Sequence, residues 1–181
     1  MDLSIYKNRE FSRGVPAWKE AVWWVARSLF FASWFPLPSV LRCAVLRAFG
    51  AKVGRGVVIR SQVNITFPWR LEIGDNVWIG EEVFILSLDK VSIASNVCIS
   101  QRALLCAGSH NYKKETFDLI TKPIVIESGC WIAASVFVGP GVTVHSNTIC
   151  AAGAVVVKSV GPDSFVSGNP AQARPRNDLA S

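Results

Sequence analysis

Residues 126–156 read IESGCWIAASVFVGPGVTVHSNTICAAGAVV, and an apolar residue returns at every sixth position: Ile126, Ile132, Val138, Val144, Cys150 and Val156. The same period runs upstream, as Val53, Ile59, Ile65, then after a slip of two as Ile73, Ile79, Ile85, and after a second slip as Ile93, Ile99, Leu105. Four residues after most of these falls a second track of small or β-branched side chains, among them Val57, Val63, Val77, Val83, Val97, Ala103, Cys130, Val136, Val142, Thr148 and Ala154. Turn formers lie between the tracks: Gly74-Asp75-Asn76, Ser95-Asn96, Ser128-Gly129, Gly139-Pro140-Gly141 and Ser146-Asn147. A period of six does not hold one face of a 3.6-residue helix inward, so each hexapeptide is one very short strand and one turn. Three hexapeptides close a triangular coil, and stacked coils make a parallel β-helix around a column of aliphatic side chains. The two-residue slips recur once per coil and divide the chain into about five coils.

Around this stack the sequence predicts a helical cap or extension over residues 1–52, the β-helix over 53–160 with a loop at 108–123, and a C-terminal tail over 161–181 that leaves the stack and packs beside it. Residues 17–49 read as helical with an apolar and aromatic face of Trp18, Val22, Val25 and Leu29, continued by Leu41, Val45, Leu46 and Phe49, and are expected to cover or flank the open end. The formal charge of +6 is unevenly placed. Residues 1–60 carry ten Lys and Arg against Asp2, Glu10 and Glu20, while the rest of the chain sums to −1. The basic character therefore belongs to the front of the chain, where it can meet an anionic surface; no nucleic-acid partner is expected. Trp18, Trp23, Trp24, Phe30, Phe31, Trp34 and Phe35 lie there among Lys19, Arg27 and Arg42. Two readings stand: peripheral contact of residues 17–49 with a membrane, or a cap buried against the β-helix or within an oligomer.

Half of the residues are apolar, which argues against disorder. Cys43, Cys98, Cys106, Cys130 and Cys150 are odd in number and contain no C-x-x-C pair, so they read as small core residues in a reducing compartment rather than as a disulfide framework or a zinc site. The apolar stretch from Ala21 to Phe35 is interrupted by Arg27 and is too short to span a bilayer, which takes about 20 residues. The expected location is cytoplasmic.

Chemistry is expected where the repeat breaks, in residues 108–123. That break holds His110, one of only two histidines, and a neutral imidazole can take a proton from a hydroxyl. His145 occupies a turn slot of the repeat and reads as an exposed turn residue. Two histidines do not supply the three-histidine zinc site of a γ-class carbonic anhydrase, which uses the same coil.

The repeat, the loop G-S-H-N-Y at 108–112, the restart K-P-I-V-I at 122–126, the segment W-I-A-A at 131–134 and S-G-N-P-A at 167–171 closely resemble bacterial hexapeptide acyltransferases over about residues 15–176. The nearest group looks like the colanic-acid and exopolysaccharide-biosynthesis acetyltransferases, with maltose, galactoside and nodulation-factor acetyltransferases more distant. The resemblance implies an all-β, left-handed parallel β-helix with an N-terminal helical segment and a loop insertion. It implies a homotrimer that binds acetyl-CoA between neighbouring subunits and transfers the acetyl group to a hydroxyl of a sugar or polysaccharide precursor, free or lipid-linked. No metal is implied. By resemblance His110 is the general base, and no cysteine matches a nucleophile. Ala134 and Ala152 match backbone contacts to the pantetheine arm, where small side chains are needed. Val157 and Lys158 match the adenosine end, with Lys158 either pairing with a phosphate or standing as a solvated surface lysine; Arg174 and Arg176 are basic candidates for the same phosphates. Trp131 either walls the cofactor groove or caps a corner by packing. Acceptor candidates near His110 are Asn64, Trp69, Asn111, Tyr112 and Asp118, although Asn111 stands where many relatives carry Asp. The alternatives are N-acetylation of an aminosugar and a non-catalytic β-helix scaffold.

Overall fold

The computed structural model describes residues 3–6, 11–33 and 35–176; Asp2, Glu10 and Trp34 lie outside the described residues. From Lys52 onward the chain winds as a parallel β-helix with three faces. The first face stacks Lys52–Val53, Leu71–Ile73, Val91–Ile93, Ile124–Ile126 and Thr143–Val144. The second stacks Val58–Ile59, Trp78–Ile79, Cys98–Ile99, Trp131–Ile132 and Ile149–Cys150, and the third Asn64–Ile65, Phe84–Leu86, Leu104–Cys106, Phe137–Val138 and Val155–Val156. Register is set by the side-chain period: Ile59 pairs with Ile79, Ile79 with Ile99, and Ile132 with Ile99 and Cys150, so the inward residues form continuous columns. Every position of the six-residue track is buried except Val53, which is half-buried at the open end. Burying each such aliphatic side chain contributes roughly 1.5–3 kcal/mol.

The corners explain the rest of the pattern. Three residues after each inward position the backbone is left-handed, at Gly56, Asn76, Asn96, Gly129 and Asn147 on the first-to-second corner. Glycine and asparagine carry the lowest cost in that conformation. The slips and the long loop all fall on the third-to-first corner. Coil one turns there through Pro68–Arg70, coil two through Ser87–Lys90 and coil three through the 108–121 hairpin, whereas coil four uses the short Gly139-Pro140-Gly141 turn. Extra chain therefore accumulates along a single edge.

The open end has its own chemistry. Each coil donates N–H groups to the next coil, for instance Asn64 to the Val83 carbonyl, while other carbonyls of coil one, among them Val57, Ile59 and Ile65, face the open end. Buried carbonyls need partners, and two helices supply them: α1 (Ala17–Phe30) and α2 (Ser39–Ala48). The Trp23 indole donates to the Ile65 and Thr66 carbonyls. Ser39 and Arg42 donate to Ile59, Cys43 to Val57, and Arg47 to Val53 and Gly54. The buried face of α1 is thus Glu20, Trp23 and Ala26. The segment covers the open end, but the stripe of Trp18, Val22, Val25 and Leu29 is not the part that faces it: all four are more than half exposed, on the side of the helix turned away from the coils. The Trp23 indole N–H can cap ladder carbonyls and an aliphatic chain cannot, which fixes the rotation of α1.

The chain also stays in the stack beyond Gly161, where the sequence had been expected to release it. Val160 bridges to Val144 on the first face, Ser164–Gly168 adds a parallel strand beside Ile149–Cys150, and Ala171–Pro175 folds back antiparallel on it.

The outward rows of the three faces differ. On the first face they read Lys52, Glu72, Ser92, Val125, Thr143. On the second they read Val58, Trp78, Cys98, Trp131, Ile149, Phe165, and on the third Asn64, Phe84, Leu104, Phe137, Val155. The first face is predominantly polar; the other two are apolar almost throughout.

Candidate active site

The loop at 108–123 is a short antiparallel hairpin, Gly108–His110 against Leu119–Thr121, with His110 opposite Leu119. The Asn111 N–H bonds the Asp118 carbonyl at 2.8 Å and Lys122 N–H bonds Ala107 at 3.1 Å, which ties the hairpin back to coil three. His110 is half-buried, and its Nδ1 lies 2.9 Å from the Phe117 carbonyl oxygen. A carbonyl can only accept, so Nδ1 carries the proton and Nε2 of the neutral ring keeps its lone pair. The ring is clamped flat against Phe117, centroids 4.3 Å apart and 1° from parallel, with Tyr6 tilted against it at 5.9 Å. Phe117 takes a left-handed φ of 51° to do this, a conformation of some cost for a bulky residue. A fixed tautomer and a fixed ring plane are what a general base requires.

Sequence reasoning did not single out Phe117 or Tyr6. An aromatic following the histidine by seven residues was visible, but its backbone conformation was not.

The predicted acceptor residues are gathered only in part. Asn111, Tyr112 and Asp118 share the hairpin tip. Tyr112 is exposed, and the Asn111 side-chain oxygen accepts from Lys113 N–H at 3.2 Å. The Asp118 carboxylate pairs with Lys114 at 2.8 Å; that bond and a hydrogen bond from Thr116 hold it below the usual carboxylate range. Trp69 lies on the same edge in coil one. It stacks on Phe67 at 5.1 Å, and its indole donates to the Arg13 carbonyl at 2.8 Å. It lines a groove of about 620 Å³ together with Arg70, Asp89, Lys90, Leu119 and Thr121, so the extended corners and the hairpin form one continuous trough. Asn64 is elsewhere, on the third face, in a hollow beneath α1 where its side-chain oxygen accepts from Arg27 at 2.9 Å.

The predicted cofactor residues are not gathered on one edge. Ala134 and Ala152 stack in successive coils at the second-to-third corner, joined by the bond from Gly153 N–H to the Ala134 carbonyl at 2.9 Å; Ala152 is exposed. Trp131 stands half-exposed on the second face beside them, its indole donating to Ser100 at 2.9 Å. Val157 and Lys158 lie exposed at the third-to-first corner, the edge that carries His110. Arg174 lies over the Phe165 ring at 5.0 Å, and Arg176 donates to the Asn147 carbonyl at 3.2 Å. A single chain thus presents Ala134 and Ala152 on one side of its third face and Val157 and Lys158 on the other.

His145 is not a bare turn residue: its Nδ1 lies 3.0 Å from Glu127, whose other oxygen accepts from the Ser146 hydroxyl and N–H. Those two bonds, the hydroxyl first, and the imidazole keep Glu127 below the usual carboxylate range. Among the described residues no three His, Cys, Asp or Glu side chains converge as a metal site. Cys43, Cys130 and Cys150 are buried, and burial raises all three thiols, Cys150 to about 12. The thiolate is the reactive form. On the folded protein at mildly alkaline pH, an alkylating reagent should therefore leave these three unmodified by mass spectrometry until the chain is unfolded; rapid labelling of Cys150 would contradict the packing.

No family model matches the chain. It is 42% identical over 173 residues to the putative colanic acid biosynthesis acetyltransferase WcaF of Escherichia coli K12, covering 94% of this chain and 93% of that protein. It is 27% identical over 132 residues to the galactoside O-acetyltransferase of the same organism, covering 71% and 65%. Among solved structures, the hexapeptide-repeat acetyltransferase VCA0836 of Vibrio cholerae complexed with acetyl coenzyme A superposes with a TM-score of 0.81 at 26% identity, covering 96% of this chain and 97% of that one. The single-edge hairpin, the triangular stack and the likeness along nearly the whole chain lead to one assignment: the protein belongs to the left-handed β-helix, hexapeptide-repeat acetyltransferases, in the family of the colanic acid biosynthesis enzyme.

Proposed function

We propose that this chain transfers an acetyl group from acetyl-CoA to a hydroxyl of a sugar or polysaccharide precursor, as a homotrimer in the cytoplasm, with His110 as general base. The observation that carries the reading is the His110 imidazole, oriented by the Phe117 carbonyl with Nε2 free to accept. The donor supplies an activated thioester. His110 Nε2 takes the proton of the attacking hydroxyl as its oxygen bonds to the acyl carbon, and returns that proton to the departing thiolate. Atoms and charge balance without an acyl-enzyme, in keeping with buried thiols whose protons are held tightly.

The split of the cofactor residues supports a groove between subunits. If the apolar second and third faces meet partner copies, Ala134 and Ala152 of one chain can stand opposite the His110 and Lys158 edge of another. Apolar outward rows, with Trp78 and Trp131 about half exposed in one chain, suit burial in such an interface. The Ala134 and Ala152 side chains end at Cβ, so a thin pantetheine arm can lie against backbone there. Lys158 is placed to meet a phosphate. Unpaired cysteines suit a reducing compartment, and among the described residues no helix is long and apolar enough to cross a membrane.

Thiol release from acetyl-CoA, followed with a panel of sugars, glycolipids and aminosugars, tests the reading. Release with hydroxyl acceptors supports it. Release with aminosugars alone makes the enzyme an N-acetyltransferase, and absence of acetyl-CoA binding by calorimetry removes the donor assignment. The Ala152→Trp variant should keep the fold by circular dichroism and the trimer by light scattering, and bind acetyl-CoA at least about tenfold more weakly, or about 1.4 kcal/mol. Unchanged affinity would move the arm away from this corner.

A further inference from the structure

We infer that the end of the stack closed by α1 and α2 is a docking surface for an anionic lipid bilayer. The inward faces of both helices are fixed by their bonds to the carbonyls of coil one, so their opposite faces look away from the coils along the stack axis. On α1 that outer face is Trp18, Val22, Val25 and Leu29, 68%, 51%, 61% and 61% exposed, with no charged residue among them. Phe35 in the linker and Val40 on α2 extend it, 66% and 79% exposed. A monomeric surface rarely leaves such a patch without a partner.

The charges around the patch indicate the partner. Between residues 17 and 49 the basic residues with exposed or half-exposed side chains are Lys19, Arg27 and Arg47, while Arg42 and the one acidic residue, Glu20, are buried. An apolar plate carrying tryptophan, above a positive and carboxylate-poor layer, matches the order of acyl boundary, interface and anionic headgroup. A second copy of the chain fits less well. The 14 residues of α1 make a stripe about 21 Å long and about 10 Å wide, a few hundred Å² even with α2 added, against about 800 Å² per partner in a stable interface. The hairpin bearing His110 leaves coil three, two coil steps of about 4.8 Å above coil one, within reach of a saccharide borne on a lipid. That last link rests on the acetyltransferase reading; the docking itself does not.

Co-sedimentation of the full chain with vesicles of phosphatidylcholine alone, and of phosphatidylcholine mixed with phosphatidylglycerol, tests the inference. The wild type should bind the anionic vesicles, less so at high salt, and the neutral ones weakly. Val25→Glu combined with Leu29→Glu should lose at least about tenfold in binding. The uncharged Trp18→Ser change alone should lose several-fold. Both variants should keep the wild-type melting temperature and acetyl-CoA affinity, which separates a failure here from a failure of the catalytic reading. The inference is overturned if the wild type ignores anionic vesicles or if both variants bind as the wild type does. It is equally overturned if light scattering shows a larger assembly that the glutamate variant reduces while vesicle binding is absent, since the patch then belongs to a second copy.

Discussion

Replacing His110 with alanine should lower kcat/KM for acetyl transfer by about 10²–10⁴-fold, the usual contribution of a positioned general base, while acetyl-CoA binds the variant as it binds the wild type. The expectation follows from geometry. Nδ1 is committed to the Phe117 carbonyl at 2.9 Å, and the ring is held flat on Phe117 at 4.3 Å, so Nε2 is the one nitrogen left to accept a proton. The cofactor candidates Ala134, Ala152 and Lys158 belong to coils four and five, whereas His110 stands on the hairpin that leaves coil three, so removing the imidazole should leave them in place. Calorimetry with acetyl-CoA and thiol release with the best acceptor should therefore part company in the variant. Turnover within a few-fold of the wild type would mean that another group takes the hydroxyl proton. A parallel loss of acetyl-CoA affinity would mean that the hairpin holds the donor rather than activating the acceptor. The His110→Gln variant refines the result: its amide can still donate to the Phe117 carbonyl but offers no comparable base, so it should be as slow as the alanine variant while preserving the hairpin.

The stack was legible because a two-residue strand exposes its period without interference. Ile59, Ile79 and Ile99 pair in register as the spacing requires, and the slips at residues 66–70 and 87–90 proved to be corners on the edge where the long loop later emerges. The face of α1 was not legible for a specific reason. Trp18, Val22, Val25 and Leu29 form one apolar stripe, while Trp23, Ala26 and Phe30 form another, so periodicity alone admits two rotations. The choice is made by the Ile65 and Thr66 carbonyls, which need the Trp23 indole, a demand that exists only once coil one is folded. A similar gap affects the site. The break in the repeat pointed to His110, yet what fixes the imidazole is a backbone carbonyl turned by the left-handed conformation of Phe117, and no residue type announces that. Asn64 and Trp69 are five residues apart in sequence but round a corner from one another, so closeness along the chain did not place them in one hollow.

The Arg42→Ala variant should lose about 3 kcal/mol of stability. The Arg42 residue is 3% exposed, and its guanidinium donates to the carbonyls of Phe30, Leu37, Ile59 and Phe35 at 2.9, 2.7, 3.1 and 3.4 Å. Burial, and secondarily the charge of Arg60, lower its pKa, as for a cation drawn out of water. One group thus joins the end of α1, the linker to α2 and the open edge of coil one. Truncation takes this donor from the part-buried carbonyls of Phe30, Leu37 and Phe35 and leaves the Ile59 carbonyl with Ser39 alone, at about 1–3 kcal/mol for each that water cannot reach, and partial hydration of the linker keeps the net at about 3 kcal/mol. For a chain of this length that corresponds to a fall in melting temperature of roughly 6–12 °C. The Arg42→Lys variant keeps the charge but not the planar fork, reaches fewer of the four oxygens, and should fall between. Because coils contact only their neighbours, the damage should enter from the end. Amide exchange should accelerate first at Val58, Asn64 and Thr66 in coil one, with Phe137 in coil four still protected. A variant that melts with the wild type would show that water satisfies the cap as well as Arg42 does. Uniform acceleration through coil four would show instead that the stack opens as a single unit, and that the helical cap holds every coil rather than the first.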